Sequence, residues 1–116
     1  MRKIIVSTYK NFKNDEELVK KVLDKLDKLL RLKNKYLEVY LVRDNFNVHS
    51  FPAVKNFPRP DIKPYKNLGE IYINPERGDV VFLVVHGLLH LIGYDHKKKN
   101  DRLKMEEKEQ ELLDSM

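Results

Sequence analysis

The sequence predicts an α+β domain, a small mixed four-stranded sheet packed with helices around one central, buried helix. Three observations predict it. Four short runs rich in β-branched and aromatic residues are separated by turn-forming residues, as strands are. Two charged segments read as helices, the first with leucines and a valine at helical spacing. Between the last strand and the last helix, Val80 to Ile92 is apolar nearly all round, the pattern of a helix buried at a domain's centre. At 116 residues the chain fits a single domain over 1–116, long enough to bury a core without a disulfide or metal staple.

The elements follow in order. Residues 2–9 (RKIIVSTY) read as a strand. Asn14 offers an N-cap, with Glu17 three residues on, close to a capping box. Leu18, Val22, Leu26, Leu29 and Leu30 then predict an amphipathic helix over about 15–32 that covers one face of the sheet. Its acidic start and basic end complement the helix dipole. Tyr36 to Arg43 alternates as a second strand, and Val48 to Phe51 forms a third, stopped by Pro52. Residues 53–67 hold Pro58, Pro60 and Pro64 among basic side chains and read as a loop. Leu68 to Ile73 is a fourth strand ended by Asn74-Pro75, and about 100–114, with Leu103, Leu112 and Leu113, is a peripheral helix.

Composition narrows the function classes. Twenty-three Lys plus Arg against eighteen Asp plus Glu give a net charge of +5, which favours an anionic partner, nucleic acid above all. The interleaving of lysine with glutamate equally describes a solvated ion-pair surface. The absence of cysteine excludes disulfides and thiolate metal sites, so any metal binds through nitrogen and oxygen. The longest apolar stretch falls short of the ~20 residues a membrane span needs. The apolar run Ile4 to Val6 is too short for a signal peptide. The expectation is a soluble cytoplasmic protein with no membrane partner.

The informative segment is H-G-L-L-H-L-I-G-Y-D-H, residues 86–96. His86 and His90 are four apart, so on a helix their imidazoles stack one turn apart on one face. Gly93 is the residue type that ends a helix in the left-handed conformation, after which the chain reverses and His96 returns to the same ion. Three neutral histidines leave one position of a tetrahedral zinc open to water, the catalytic rather than the structural pattern. The bound ion lowers the pKa of that water to about 7. A lone histidine on an apolar helix is usually a packed core residue. Three of the chain's four histidines within eleven residues are better explained by a metal, which removes the cost of burying unpartnered imidazoles. The spacing H-x-x-x-H-x-x-G-x-x-H is that of metzincin metalloproteases, yet Gly87 stands where those enzymes carry their glutamate base.

With Gly87 in place the segment resembles the YbeY family of zinc-dependent endoribonucleases, the rRNA maturation factors. That family's H-G-x-L-H-L-x-G-Y-D-H is matched at every specified position by His86 through His96. Asn47 to Pro52 is similar to the family's T-[DN]-V-L-S-F-P, Leu68 to Ile71 to its L-G-D-I, and Met105 with Glu109 to a C-terminal M-x-x-x-E. The resemblance implies that His86, His90 and His96 bind one zinc ion. It implies hydrolytic cleavage of single-stranded RNA during ribosomal RNA processing and ribosome maturation, with the ribosome itself as a partner. It also implies that Arg43, the counterpart of an arginine upstream of S-F-P, clamps the phosphoryl group. Nickel or another imidazole-loving divalent ion suits the same ligands.

Further site expectations attach to this reading. Asp95 orients His96 or accepts a proton, against the plainer role of capping the turn after Gly93. Ser50 lies in the S-F-P element. Lys55, Arg59, Lys63 and Lys66 flank the site and hold the RNA backbone. Lys97, Lys98 and Lys99 join them or form a solvated run. His49 is a packed or surface histidine and not a fourth ligand. The chain departs from the family around the cleft. The stretch between Arg43 and Asn47 is about three residues short, and no helix precedes Val80 within 73–79. Two rivals stand beside the nuclease. One is a zinc metallopeptidase of metzincin-like spacing. The other is a non-catalytic ribosome- or RNA-binding module with a structural metal.

Overall fold

In the computed structural model, which describes residues 1–54 and 59–116, the β-branched run at the N-terminus forms an edge strand, β1 (Arg2–Ser7). It ends two residues before the expected boundary, and a 3-10 turn over Lys10–Phe12 leads straight into α1 (Lys13–Leu30). Asn14 is therefore inside the helix, and no side chain caps its start. Phe12, 2% exposed, anchors the entry instead. The buried stripe of α1 is Val19, Val22, Leu23 and Leu26, whereas Leu18 and Leu29 face solvent.

The strands β2 (Lys35–Leu41), β3 (Val48–Pro52) and β4 (Lys66–Ile73) complete a sheet in the order β1-β2-β4-β3. β1, β2 and β4 run parallel, and β3 pairs antiparallel with β4. The sheet is thus mixed and four-stranded, as the sequence predicts. β4 starts two residues earlier than expected, and a bulge at Leu68 shifts its register against β2. Pro52 closes β3 as its last residue, at the sheet's edge, where proline is tolerated.

One core lies between a single face of the sheet and the helices. Leu37, Val39 and Leu41 of β2 and Ile71 and Ile73 of β4 meet the α1 stripe and α2 (Val80–Leu91). Met105 and Leu112 of α3 (Lys99–Asp114) close it from the other side. α2 sits centrally, packed on α1, α3, β3 and β4. On the opposite face, Tyr36 and Tyr40 donate their hydroxyls to Glu38 at 2.9 and 2.6 Å, and Arg59 adds its guanidinium at 3.3 Å. No helix among the described residues is long and apolar enough to cross a membrane.

A candidate metal centre at the end of the central helix

The site is built on α2. Asp79 caps the helix, its Oδ1 accepting the amide of Phe82 at 3.1 Å, the typical use of aspartate at that position. Val80, Leu83, Val84, Val85, Leu88 and Leu89 are buried. His86 and His90 are only partly buried, so their rings stand together at one margin of the core with centroids 4.7 Å apart.

Gly87 allows the helix to approach the sheet. A Cβ placed there would lie 2.7 Å from Cγ2 of Ile71 and 3.2 Å from both Ser50 Oγ and Val48 Cγ2. Ser50 uses the same closeness, donating its hydroxyl to the Gly87 carbonyl at 2.8 Å. Position 87 therefore faces β3 and β4, and the missing glutamate base has no room there.

The helix ends as the sequence predicts. Gly93 takes a positive φ of 109°, Tyr94 N–H bonds Leu89 O at 3.0 Å, and Gly93 N–H bonds His90 O at 3.2 Å. The reversal carries His96 back beside the other two, its ring 4.9 Å from that of His90 and 5.9 Å from that of His86.

One nitrogen from each of the three rings lies within 4.8 Å of the others. Hydrogen bonds fix which nitrogens face inward. The Tyr94 carbonyl can only accept, so Nδ1 of His90, 3.1 Å away, carries the proton and its Nε2 keeps a lone pair. Glu109 Oε1 lies 2.5 Å from Nδ1 of His86 and orients that ring likewise. The two Nε2 atoms then face each other at 3.1 Å. Two imidazole nitrogens bound at ~2.0–2.1 Å to one tetrahedral zinc sit about 3.3 Å apart. Burial first, then the neighbouring charges of His86 and His96, hold His90's pKa below its ordinary value, which keeps the ring in the neutral, ligating form. The donor set fits a divalent metal that favours imidazole.

The cage opens into a groove of about 480 Å³ whose lining includes Ser50, Asp95 and Lys97 as well as the three histidines. Asp95 turns its carboxylate to the Lys97 amide at 2.6 Å, the capping geometry. Arg43 is elsewhere. It pairs with Glu76 at 2.6 Å and lies over the rings of Tyr9 and Phe12, and it is not part of the groove lining. Arg59 is held by Glu38 and Asp61 on the far face of the sheet. Lys63 is exposed in the loop before β4, and Lys66 borders a neighbouring groove. Lys55 falls outside the described residues. His49 is exposed on β3, its ring 4.3 Å from that of Phe46, and it does not join the histidine group.

Two supporting contacts received no role from the sequence, namely Glu109 on His86, although Glu109 stands in the M-x-x-x-E resemblance, and the Tyr94 carbonyl on His90. A glutamate only 8% exposed on an otherwise charged helix is the trace the first leaves in the structure.

A family model described as Endoribonuclease YbeY matches residues 44–116. Proteins named Endoribonuclease YbeY are among the chain's relatives. That of Carboxydothermus hydrogenoformans is 34% identical over 76 residues, which is 54% of this chain and 53% of the relative. That of a Wolbachia species is 34% identical over 76 residues, 54% of this chain and 51% of the relative. That of Bacillus subtilis is 46% identical over 46 residues, 40% of this chain and 29% of the relative. The aligned part of the chain spans about half the length of the first two.

Proposed function

This chain belongs to the YbeY family of endoribonucleases, and from that premise we propose that it hydrolyses single-stranded RNA in ribosomal RNA processing, with a zinc ion held by His86, His90 and His96. The observation that carries the reading is the convergence of three imidazole nitrogens at the mouth of an open groove, two of the rings fixed by acceptors on Nδ1. When bound, such an ion supplies Lewis acidity and activates water at neutral pH. Nickel fits the same donors.

The chain's own residues divide the remaining work. Glu109 and the Tyr94 carbonyl hold the two helical imidazoles in the ligating tautomer. Asp95 shapes the turn that presents His96. Ser50 ties the groove's β3 wall to α2. Lys97, on the groove, supplies positive charge for an RNA phosphate. Arg43, engaged by Glu76, is assigned no contact with the reacting phosphodiester. The ribosome is the proposed partner and the cytoplasm the proposed location. The packing around Gly87 weighs against the peptidase reading.

The test is elemental analysis of the purified chain combined with a single-stranded RNA cleavage assay with and without chelator. One zinc per chain and chelator-sensitive cleavage, both lost in His90→Ala, support the reading. A stoichiometric metal without RNA cleavage replaces it with a metal-stabilised binding module. Casein hydrolysis without RNA cleavage replaces it with a peptidase.

A further inference from the structure

Beside the metal groove lies a second one of about 720 Å³, its floor formed largely by Leu32, Leu68, Leu91 and Ile92. Pro52 and Gly93 line both, so the two grooves adjoin at the end of α2. Its rim carries Arg31, Lys35 and Lys66, and among the described residues its lining contains no aspartate or glutamate.

That rim is costly to the fold in three ways. Lys35 and Lys66 are register partners on β2 and β4, which sets two like charges side by side across the sheet. Arg31 adopts a left-handed backbone (φ 53°) at the end of α1, where glycine is the usual residue and any other is strained. Among the described residues, none of the three has a carboxylate within 4.0 Å. An uncompensated cationic rim over an apolar floor suits a polyanion that carries flat apolar groups, and single-stranded nucleic acid is that chemistry.

We propose that this groove holds the RNA segment that flanks the phosphodiester at the metal centre. Arg31, Lys35 and Lys66 contact successive backbone phosphates, and the bases lie on the leucine floor. The inference rests on the ribonuclease reading for its substrate class. It adds two residues, Arg31 and Lys35, and the direction in which the strand leaves the cage, past Pro52 and Gly93.

The experiment measures binding of a short fluorescein-labelled single-stranded RNA to the full chain by anisotropy, in chelator, over a range of salt. The triple variant R31E/K35E/K66E is compared with K13E/K20E/K21E, which makes the same charge change on α1. Loss of three phosphate contacts is expected to weaken binding more than about tenfold and to lower the slope of log affinity against log salt by about 2. The α1 variant is expected to bind within about threefold of the parent, since distant charges are screened. Arg31→Gly provides a readout that does not depend on charge reversal being tolerated. It relieves the left-handed strain, so its melting temperature should rise while RNA binding weakens.

Equal losses in both triple variants, unchanged binding by the groove variant, or displacement of RNA by polyglutamate as readily as by unlabelled RNA would overturn the proposal. Affinity is read without metal, so it is independent of cleavage. A chain that binds RNA through this groove but cleaves none sinks the nuclease reading alone. A chain that cleaves RNA while its groove variant binds unchanged sinks the groove alone.

Discussion

Glu109 of α3 reaches across to His86 of α2, its Oε1 2.5 Å from the imidazole Nδ1. The contact joins residues 23 apart in the chain and makes α3 part of the candidate metal centre. A carboxylate there raises the basicity of the inward Nε2 and fixes the ring's rotation. Glu109→Gln is therefore expected to weaken metal binding by about 10–100-fold, while His86→Ala abolishes it. Competition against a chromogenic chelator measures both. Unchanged affinity in Glu109→Gln would reduce the residue to a packing role.

Gly87 sets the distance between α2 and the sheet. Gly87→Ala forces a methyl against Ile71, which is itself fully buried, and overpacking of this kind costs about 1–3 kcal/mol. Urea denaturation should show that loss with an unchanged slope. Gly87→Glu should be worse still and should not create peptidase activity. Wild-type stability in Gly87→Ala would mean that the helix is free to move outward.

Ser50 holds the other side of the same junction. Ser50→Ala leaves the Gly87 carbonyl without that donor and is expected to cost about 0.5–1.5 kcal/mol. Metal affinity should stay within about twofold, since no ligand or ligand partner is touched. A loss of RNA affinity larger than the loss of stability would give Ser50 a direct role in substrate binding.

The convergence of His86, His90 and His96 was legible because the three residues are local. A four-residue helical step, a helix-ending glycine and a short return are all written in residues 86–96, so spacing alone indicates convergence. The sheet and the buried α2 were legible for the same reason, through period and composition. What sequence reading missed depends on packing between distant segments. Leu18 and Leu29 have the spacing of a buried stripe, but burial of Phe12 at the entry of α1 goes with Val19 and Leu23 facing the core instead. Gly87 reads as a deleted base until Ile71 and Ser50 are seen against it. Arg43 and Arg59 read as RNA contacts because a sequence shows their charge and not Glu76, Asp61 or Glu38 beside them.

Glu38 predicts how the fold responds to acid. Burial raises its pKa, but the phenols of Tyr40 and Tyr36 and the Arg59 guanidinium outweigh burial, so its folded value lies below the ordinary 4.5. The unfolded chain takes up this proton first. The stability Glu38 contributes is therefore complete above about 4.5 and is lost as pH falls through the folded value. Denaturation at a series of pH values should show stability falling on acidification below that point, and less steeply in Glu38→Gln. An identical slope in the variant would place the acid sensitivity elsewhere.

The contiguity of residues 86–96 also bears on how an ion enters and leaves. All three candidate ligands sit on one short peptide that crosses the Gly93 reversal, while the sheet and α1 contribute none. Since α2 holds His86 and His90 in the core, loading would need only the turn that carries His96, and α3 with Glu109, to close on them, in the manner of a clasp. Exchange of a bound ion would then be an excursion of that turn and α3, less demanding than global unfolding. The hinge of the clasp, Lys97 to Lys99, is a run of trypsin sites, so bound metal should slow cleavage there while leaving the digestion of exposed α1 lysines unchanged.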